Sequence, residues 1–338
     1  MKLLIIIPSV RLASHPHFFQ PGHLKQIRSV TKNKVEVRVT SDKNEAERQA
    51  GDADIIAGFP SVIPALTRAK NLRWVHSFSA GVDRLLTPQT KKLPILMSNS
   101  SGIHATPIAE HVLGFMLIFT RGFHRTWRKQ IRHTWQPDET ITELRGKTVL
   151  IVGLGHIGSE VARLAHCFGA RVIAVSRAKA KKESLSDVDP SHNGVMRVID
   201  VFKTEKYLNS LLPKADFVCI CLPHTNETHH LFDMTKFRRM KRDAVLINIG
   251  RGGIVNEREL VVALKKKIIG GAALDVTEQE PLPPSSPLWN MENVIITPHH
   301  SGLSEKYMDR AIDLFCKNLK EFLAGRPLRN VVDKKKGY

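Results

Sequence analysis

The sequence has little that would tie it to a membrane, a metal or an oxidising compartment. Its longest internal apolar stretch, VLGFMLIF, falls well short of the roughly 18 residues that span a bilayer. The apolar opening KLLIIIPSV stops at Pro8 with no small-residue cleavage site after it, so a buried first strand is expected rather than a signal peptide. Only four cysteines occur, Cys167, Cys219, Cys221 and Cys316, and none stands in C-x-x-C spacing. A metal knuckle or redox pair therefore has no sequence support, and no metal is expected. Buried free thiols in a reducing cytoplasm are the reading, with Cys219 and Cys221 on one face of a strand. Acidic residues are scarce: 32 Asp and Glu stand against 51 Lys and Arg, a formal net charge of +19. The basic excess is spread along the chain without zinc-finger spacing, an RNA-binding aromatic motif or a helix-turn-helix. That favours anionic small ligands over nucleic acid.

What the chain does contain is alternation. Its 338 residues, 42% hydrophobic and 25% charged, suit about two globular domains. KLLIII, VEVRVT, DIIAGF, LRWVHSF and PILMSN read as strands, and SDKNEAERQ reads as a helix capped by Ser41 or Asp42. Residues 106–132 turn helical, with Pro107 in a first turn, and look like a crossing between domains. After it come KTVLIV, the helix HIGSEVARLAHCF, and the runs RVIAVS, DFVCICL, AVLINIG, IIGGAALDV and NVIITP. Runs this rich in Val and Ile fit strands buried on both faces of a parallel sheet. A last helix over about 305–324 ends at Gly325 and Pro327.

The segment TVLIVGLGHIGSEVARLA places Gly153, Gly155 and Gly158 as G-x-G-x-x-G between a strand and a helix. In that context Gly153 serves the tight turn, Gly155 the approach of a pyrophosphate, and Gly158 close helix–strand packing. The helix start, with His156 and Ile157, offers backbone amides and the positive end of the helix dipole. The next strand should end in an acid if the ribose 2′-hydroxyl is to be held. Here it ends in Ser176 and Arg177, with Lys179 beyond, which suits a 2′-phosphate. NADP(H) is the expected cofactor, with NAD(H) as the alternative.

LPHTNETHHLF, from Leu222, and ITPHHSG, from Ile296, each set a histidine after a proline, so either His224 or His299 has the chemistry to move a proton. The motifs SAGVD, AEHVLGFML, LRGKTVLIVGLGHIG, LPHTNET, LINIGRGGIVNE, ALDVTEQEPLP and ITPHHSG follow one another nearly end to end. In this series the chain resembles the D-isomer-specific 2-hydroxyacid dehydrogenases, most closely their glyoxylate/hydroxypyruvate (2-ketoacid) reductase branch.

The resemblance implies a catalytic trio of Arg251, Glu280 and His299. Arginine would hold the substrate carboxylate and polarise the carbonyl, and imidazolium would give the proton. The carboxylate would keep the ring oriented and charged. His299 is then the acid, and neither His224 nor the neighbouring His300. The substrate, a small 2-keto or 2-hydroxy acid, would set its carboxylate on Ala80, Gly81 and Val82 together with Arg251 and His299. Leu222, Pro223 and Thr228 would line the nicotinamide side. Ile249 and Gly250 would form the cofactor wall with Arg251, and Asp275, His299, Ser301 and Gly302 would complete the contacts.

The implied architecture is two Rossmann-like, doubly wound parallel-sheet α/β domains. The substrate domain would comprise 1–101 and 299–338, with the dinucleotide-binding domain, 102–298, inserted into it. A homodimer is implied, and helix 108–119 suits either its interface or a core. Other readings on this fold are a D-lactate-like or phosphoglycerate dehydrogenase and, in another class, a dinucleotide-sensing corepressor-type module.

Overall fold

Strand β1 (Lys2–Ile6) is buried along its whole apolar run, which needs cover on both faces. In the computed structural model, which describes residues 1–7, 19–32, 34–61, 63, 66, 69–82, 84–176 and 198–335, it has that cover. β1 lies inside a parallel sheet with β2 (Glu36–Thr40), β3 (Ile55–Gly58), β4 (Trp74–Ser77) and β5 (Leu96–Asn99), in the order β2-β1-β3-β4-β5. Leu3 and Ile5 pack with Ile27 of α1 (Pro21–Thr31) and Phe315 of the C-terminal helix Tyr307–Leu323. Leu4 and Ile6 face the other way, toward Ala46 and Ala50 of α2 (Lys43–Ala50). Asp42, rather than Ser41, caps α2: its carboxylate accepts the Glu45 N–H at 2.7 Å. α3 (Pro88–Lys91) is a single turn. These elements form one compact unit, Met1–His104 with Leu303–Tyr338.

The second unit is Ala105–Gly302. Its seven strands are β6 (Thr148–Val152), β7 (Arg171–Ser176), β8 (Val201–Thr204), β9 (Phe217–Ile220), β10 (Val245–Asn248), β11 (Gly271–Leu274) and β12 (Val294–Ile296). All pair in parallel, in the order β12-β11-β10-β9-β6-β7-β8. The chain winds outward from β6 in one direction and from β9 in the other. The switch point, where such sheets receive ligands, therefore lies beyond the carboxyl ends of β6 and β9. The expected fold class, two doubly wound parallel α/β sheets, is what the chain adopts.

Three expectations need correction. The helical segment 106–132 is two helices, α4 (Ala105–Thr120) and α5 (Phe123–Ile131), because Gly122 adopts φ +66° and its carbonyl starts a new turn by accepting from Arg125 and Thr126. On α4, Ile108, Ala109, Val112, Phe115 and Met116 are buried in the core of their own unit. The second boundary falls after Gly302 instead of before His299. The N–H groups of His299, His300 and Ser301 all bond to Asp275, which ties this loop to the sheet it leaves. Cys167, finally, is exposed, since α6 (His156–Cys167) buries its 158–162 and 165 face; Cys219 and Cys316 are buried and Cys221 is half-buried. The Cys219 thiol is pushed well above its ordinary pKa by the bond to the Cys221 thiol, 3.6 Å away, and by burial. No described helix is long and apolar enough to cross a membrane.

Candidate active site

Three glycines shape the turn from β6 into α6, each for its own reason. Gly153 has φ +104°, and a Cβ on it would lie 2.7 Å from the Cys221 carbonyl oxygen, so the turn presses against the strand end across the switch point. A Cβ on Gly158 would lie 2.1 Å from the Gly153 carbonyl, so only glycine lets α6 sit this close to β6. Gly155 is exposed, and a Cβ there would meet nothing within 4 Å. α6 begins beside it, through the half-buried His156 and Ile157, with no side-chain cap and no acidic residue in its first turn. That is the arrangement that receives an anion at a helix start. Ser176 ends β7, half-buried; Arg177 and Lys179 lie outside the described residues.

The carboxyl ends of β6, β9 and β10 converge on Leu222. Its side chain would be 2.9 Å from a Cβ on Gly153, and its carbonyl 2.6 Å from one on Gly250. Pro223 is half-buried beside it. Thr228 is only 6% exposed, and its hydroxyl donates to the Pro223 carbonyl at 2.8 Å and accepts from the Thr225 N–H at 2.8 Å. It therefore shapes the 223–228 loop instead of presenting a polar group to a ligand.

Beyond β10, Asn248 clamps the next turn. Its side-chain oxygen accepts the Gly250 N–H and its amide donates to the Arg251 carbonyl, both at 3.1 Å. Ile249 and Gly250 are buried, and half-buried Arg251 donates from Nη1 to the Gly250 carbonyl at 2.8 Å. A Cβ on Gly252 would lie 1.9 Å from the Thr277 carbonyl, so the arginine segment runs directly against the loop that carries Glu280. Asn248 was not singled out from the sequence; its one signal is an amide in an otherwise apolar strand.

Glu280 and His299 come from the loops after β11 and β12 and meet at 2.7 Å, Oε2 to Nδ1. The ring is fixed through Nδ1, which leaves Nε2 to exchange a proton. Glu280 pairs with neither rival histidine. His224 bonds His229, Nε2 to Nδ1 at 3.1 Å, and His300 sets its ring against His111.

Asp275 organises the loop under His299. Its carboxylate accepts from the Thr297 hydroxyl at 2.7 Å, the His300 N–H at 3.0 Å, and both the N–H and hydroxyl of Ser301. Burial opposes its ionisation, but the bonds from Ser301 and Thr297 outweigh that and hold the carboxyl below its ordinary pKa. Ser301 thus spends its polar groups on Asp275, and half-buried Gly302 ends the unit. Thr297 has one proton, and it goes to the carboxylate. His111 must therefore donate its Nε2–H to the Thr297 oxygen, 3.0 Å away. Burial lowers the His111 pKa, which agrees with that neutral tautomer.

The other unit holds Ala80, Gly81 and Val82 just after β4. The Ala80 carbonyl accepts from the Asn99 amide at 2.8 Å, and Val82 is buried.

A profile described as "D-isomer specific 2-hydroxyacid dehydrogenase, NAD binding domain" matches residues 113–301, all within the second unit. A glyoxylate reductase of Thermofilum pendens is 34% identical over 273 residues, covering 79% of this chain and 76% of that protein. Among solved structures, a D-isomer specific 2-hydroxyacid dehydrogenase family protein from Aeromonas salmonicida is 32% identical, with a TM-score of 0.82 over 98% of this chain and 99% of that one. An NADPH-dependent glyoxylate/hydroxypyruvate reductase from Sinorhizobium meliloti, in complex with NADP and sulfate, is 27% identical, with a TM-score of 0.78 over 100% and 99%. With the glycine turn at the switch point of a parallel sheet and the histidine–glutamate pair at its carboxyl edge, these matches carry one conclusion: the chain belongs to the D-isomer-specific 2-hydroxyacid dehydrogenase family of nicotinamide-dinucleotide-dependent oxidoreductases.

Proposed function

We propose that the protein reduces small 2-keto acids, glyoxylate and hydroxypyruvate among them, to D-2-hydroxy acids with NADPH as the preferred hydride donor. One observation carries the reading: Glu280 and His299 meet at 2.7 Å at the sheet edge to which β10 also delivers Arg251. Relatives named as glyoxylate reductases and glyoxylate/hydroxypyruvate reductases support the substrate class.

The first turn suits a dinucleotide, because the space around Gly155 is open and α6 starts with bare amides. Bound there, the dinucleotide supplies a hydride. The 153–158 backbone would hold its pyrophosphate, with Ile249, Gly250, Leu222 and Pro223 as walls toward the nicotinamide end and Asp275 beside them. Arg251 binds the substrate carboxylate and draws electron density toward the carbonyl oxygen through its planar fork of donors. His299 gives that oxygen a proton from Nε2 as the carbonyl carbon is reduced, and Glu280 holds Nδ1–H so that the ring keeps its orientation. In the reverse direction neutral His299 takes the hydroxyl proton. Preference for NADPH rests on Ser176 ending β7 and Arg177 following it, where a carboxylate would repel a 2′-phosphate. A homodimer in a reducing cytoplasm completes the reading. It is supported by the free cysteines and by the exposed Phe123, Trp127 and Ile131 along α5.

The test is consumption of NADPH and of NADH, followed at the reduced-nicotinamide band, with and without glyoxylate or hydroxypyruvate. Turnover that disappears in His299→Ala and persists in His300→Ala is expected. An Arg177→Ala variant should bind NADPH about 10–100-fold more weakly, the worth of one charge-assisted hydrogen bond, with NADH affinity nearly unchanged. Tight dinucleotide binding without turnover of any keto acid overturns the enzyme reading in favour of a sensing module.

A further inference from the structure

His111 on α4, Asp275 at the end of β11 and His300 after β12 each present one ligand atom, and the three atoms lie within 4.8 Å of one another. We propose that these residues form a binding site for a divalent transition metal, Zn2+ in particular, whose occupation excludes the dinucleotide.

In a tetrahedral zinc site the metal–nitrogen distance is about 2.0–2.1 Å, which puts the centres of two bound imidazoles about 5.2 Å apart. The His111 and His300 ring centres are 5.5 Å apart, at an interplanar angle of 85°. Asp275 is buried, ionised and fixed by Thr297, His300 and Ser301, the kind of supporting shell that orients a metal ligand.

The Thr297 hydroxyl already gathers His111 Nε2 and Asp275 Oδ1 around one oxygen, at 3.0 and 2.7 Å; a cation would join the same two atoms with the His111 proton moved to Nδ1 and the Thr297 hydroxyl turned aside. Donor atoms around tetrahedral zinc are about 3.4 Å apart, so closing the site needs a movement of about an ångström. His300 is exposed, and its ring nitrogens bond no described residue, so it is the side chain that swings. Two imidazoles and a carboxylate select zinc, nickel or cobalt over magnesium and calcium, which demand oxygen ligands.

Asp275 is the residue set beside the nicotinamide in the proposed function, and His300 directly follows His299. Metal and dinucleotide therefore compete. The metal site stands on geometry; its competition with the dinucleotide and its effect on turnover rest on the functional proposal.

The experiment is calorimetric titration of untagged, chelator-treated protein with Zn2+, and with Co2+ to read the visible bands of tetrahedral cobalt. One equivalent should bind. His300→Ala and His111→Asn should each weaken binding at least tenfold, and saturating NADPH should suppress it. His224→Ala, which disturbs the separate His224–His229 pair, should bind as the parent does. In turnover, Zn2+ should raise the KM for NADPH without lowering kcat, and the His300→Ala enzyme should escape that effect. Unchanged zinc affinity in both His300→Ala and His111→Asn, or loss of the site in His224→Ala, overturns the proposal whether or not the protein turns over a keto acid.

Discussion

One methyl group added at Gly155 or at Gly158 should act through different physics. At Gly158 the new Cβ would lie 2.1 Å from the Gly153 carbonyl oxygen and 3.1 Å from a methyl of Ile151. Both neighbours belong to the strand and turn under the helix, so α6 must retreat by more than an ångström. Overpacking of this kind costs about 1–3 kcal/mol. In a unit of this size that lowers Tm by roughly 2–4 °C per kcal/mol, or about 2–12 °C in all.

At Gly155 the Cβ would meet nothing within 4 Å, and φ −96° suits alanine. A stiffer unfolded chain adds about 0.4–1 kcal/mol of stability, and the poorer helix cap removes about as much. Gly155→Ala should melt within a few degrees of the parent. It should nonetheless lose dinucleotide affinity, since the methyl occupies the space the pyrophosphate must approach. Loss of one charge-assisted hydrogen bond corresponds to about 10–100-fold.

Thermal melts without cofactor and fluorescence titrations with NADPH and NADH separate the two effects. Parental affinity for both dinucleotides in Gly155→Ala would falsify the placement of the phosphates at this turn. A Gly155→Ala protein as destabilised as Gly158→Ala would refute the packing argument.

Arg251→Lys keeps the charge but loses the bidentate fork, so kcat/KM for the keto acid should drop at least tenfold while NADPH affinity stays near parental. A lysine enzyme with parental kcat/KM removes the fork from the mechanism. Glu280→Gln should lower kcat/KM with little change in Tm, because the 2.7 Å pair sits on half-exposed side chains and orients the ring more than it stabilises the fold; a variant with full activity would show that His299 needs no such partner.

Burial pushes His76 down to about 3, so between there and the ordinary value near 6.5 only the unfolded chain takes up the proton. Stability should therefore be complete above pH 6.5 and decline on acidification, by about 2 kcal/mol at pH 5. Urea melts at both pH values would measure this, and equal acid sensitivity in His76→Gln would assign it elsewhere.

The parts of this protein legible in its sequence are those whose causes are local. Runs of Val and Ile bounded by turn residues read as parallel strands because burial on both faces removes the polar alternation. The glycine turn reads as a phosphate-type loop because strand, three glycines and helix follow within a dozen residues. The Asp42 cap was narrowed to two residues by the same local logic.

Contacts between segments far apart in the chain were decided only by the tertiary structure. Motif resemblance names His299 as the partner of Glu280, but the contact itself is made by two loops reaching one edge of the sheet, where His224 and His300 have other neighbours. Asp275 reads as one acid after a strand, yet folding gives it Thr297, His300 and Ser301 at once and draws the 299–302 loop into the second unit. Asn248 and His111 are ordinary until β10 and α4 bring them to their partners. Local sequence carries φ, ψ and burial preference, whereas a side chain's partner across the sheet is set by strand order, and strand order exists only in the folded chain.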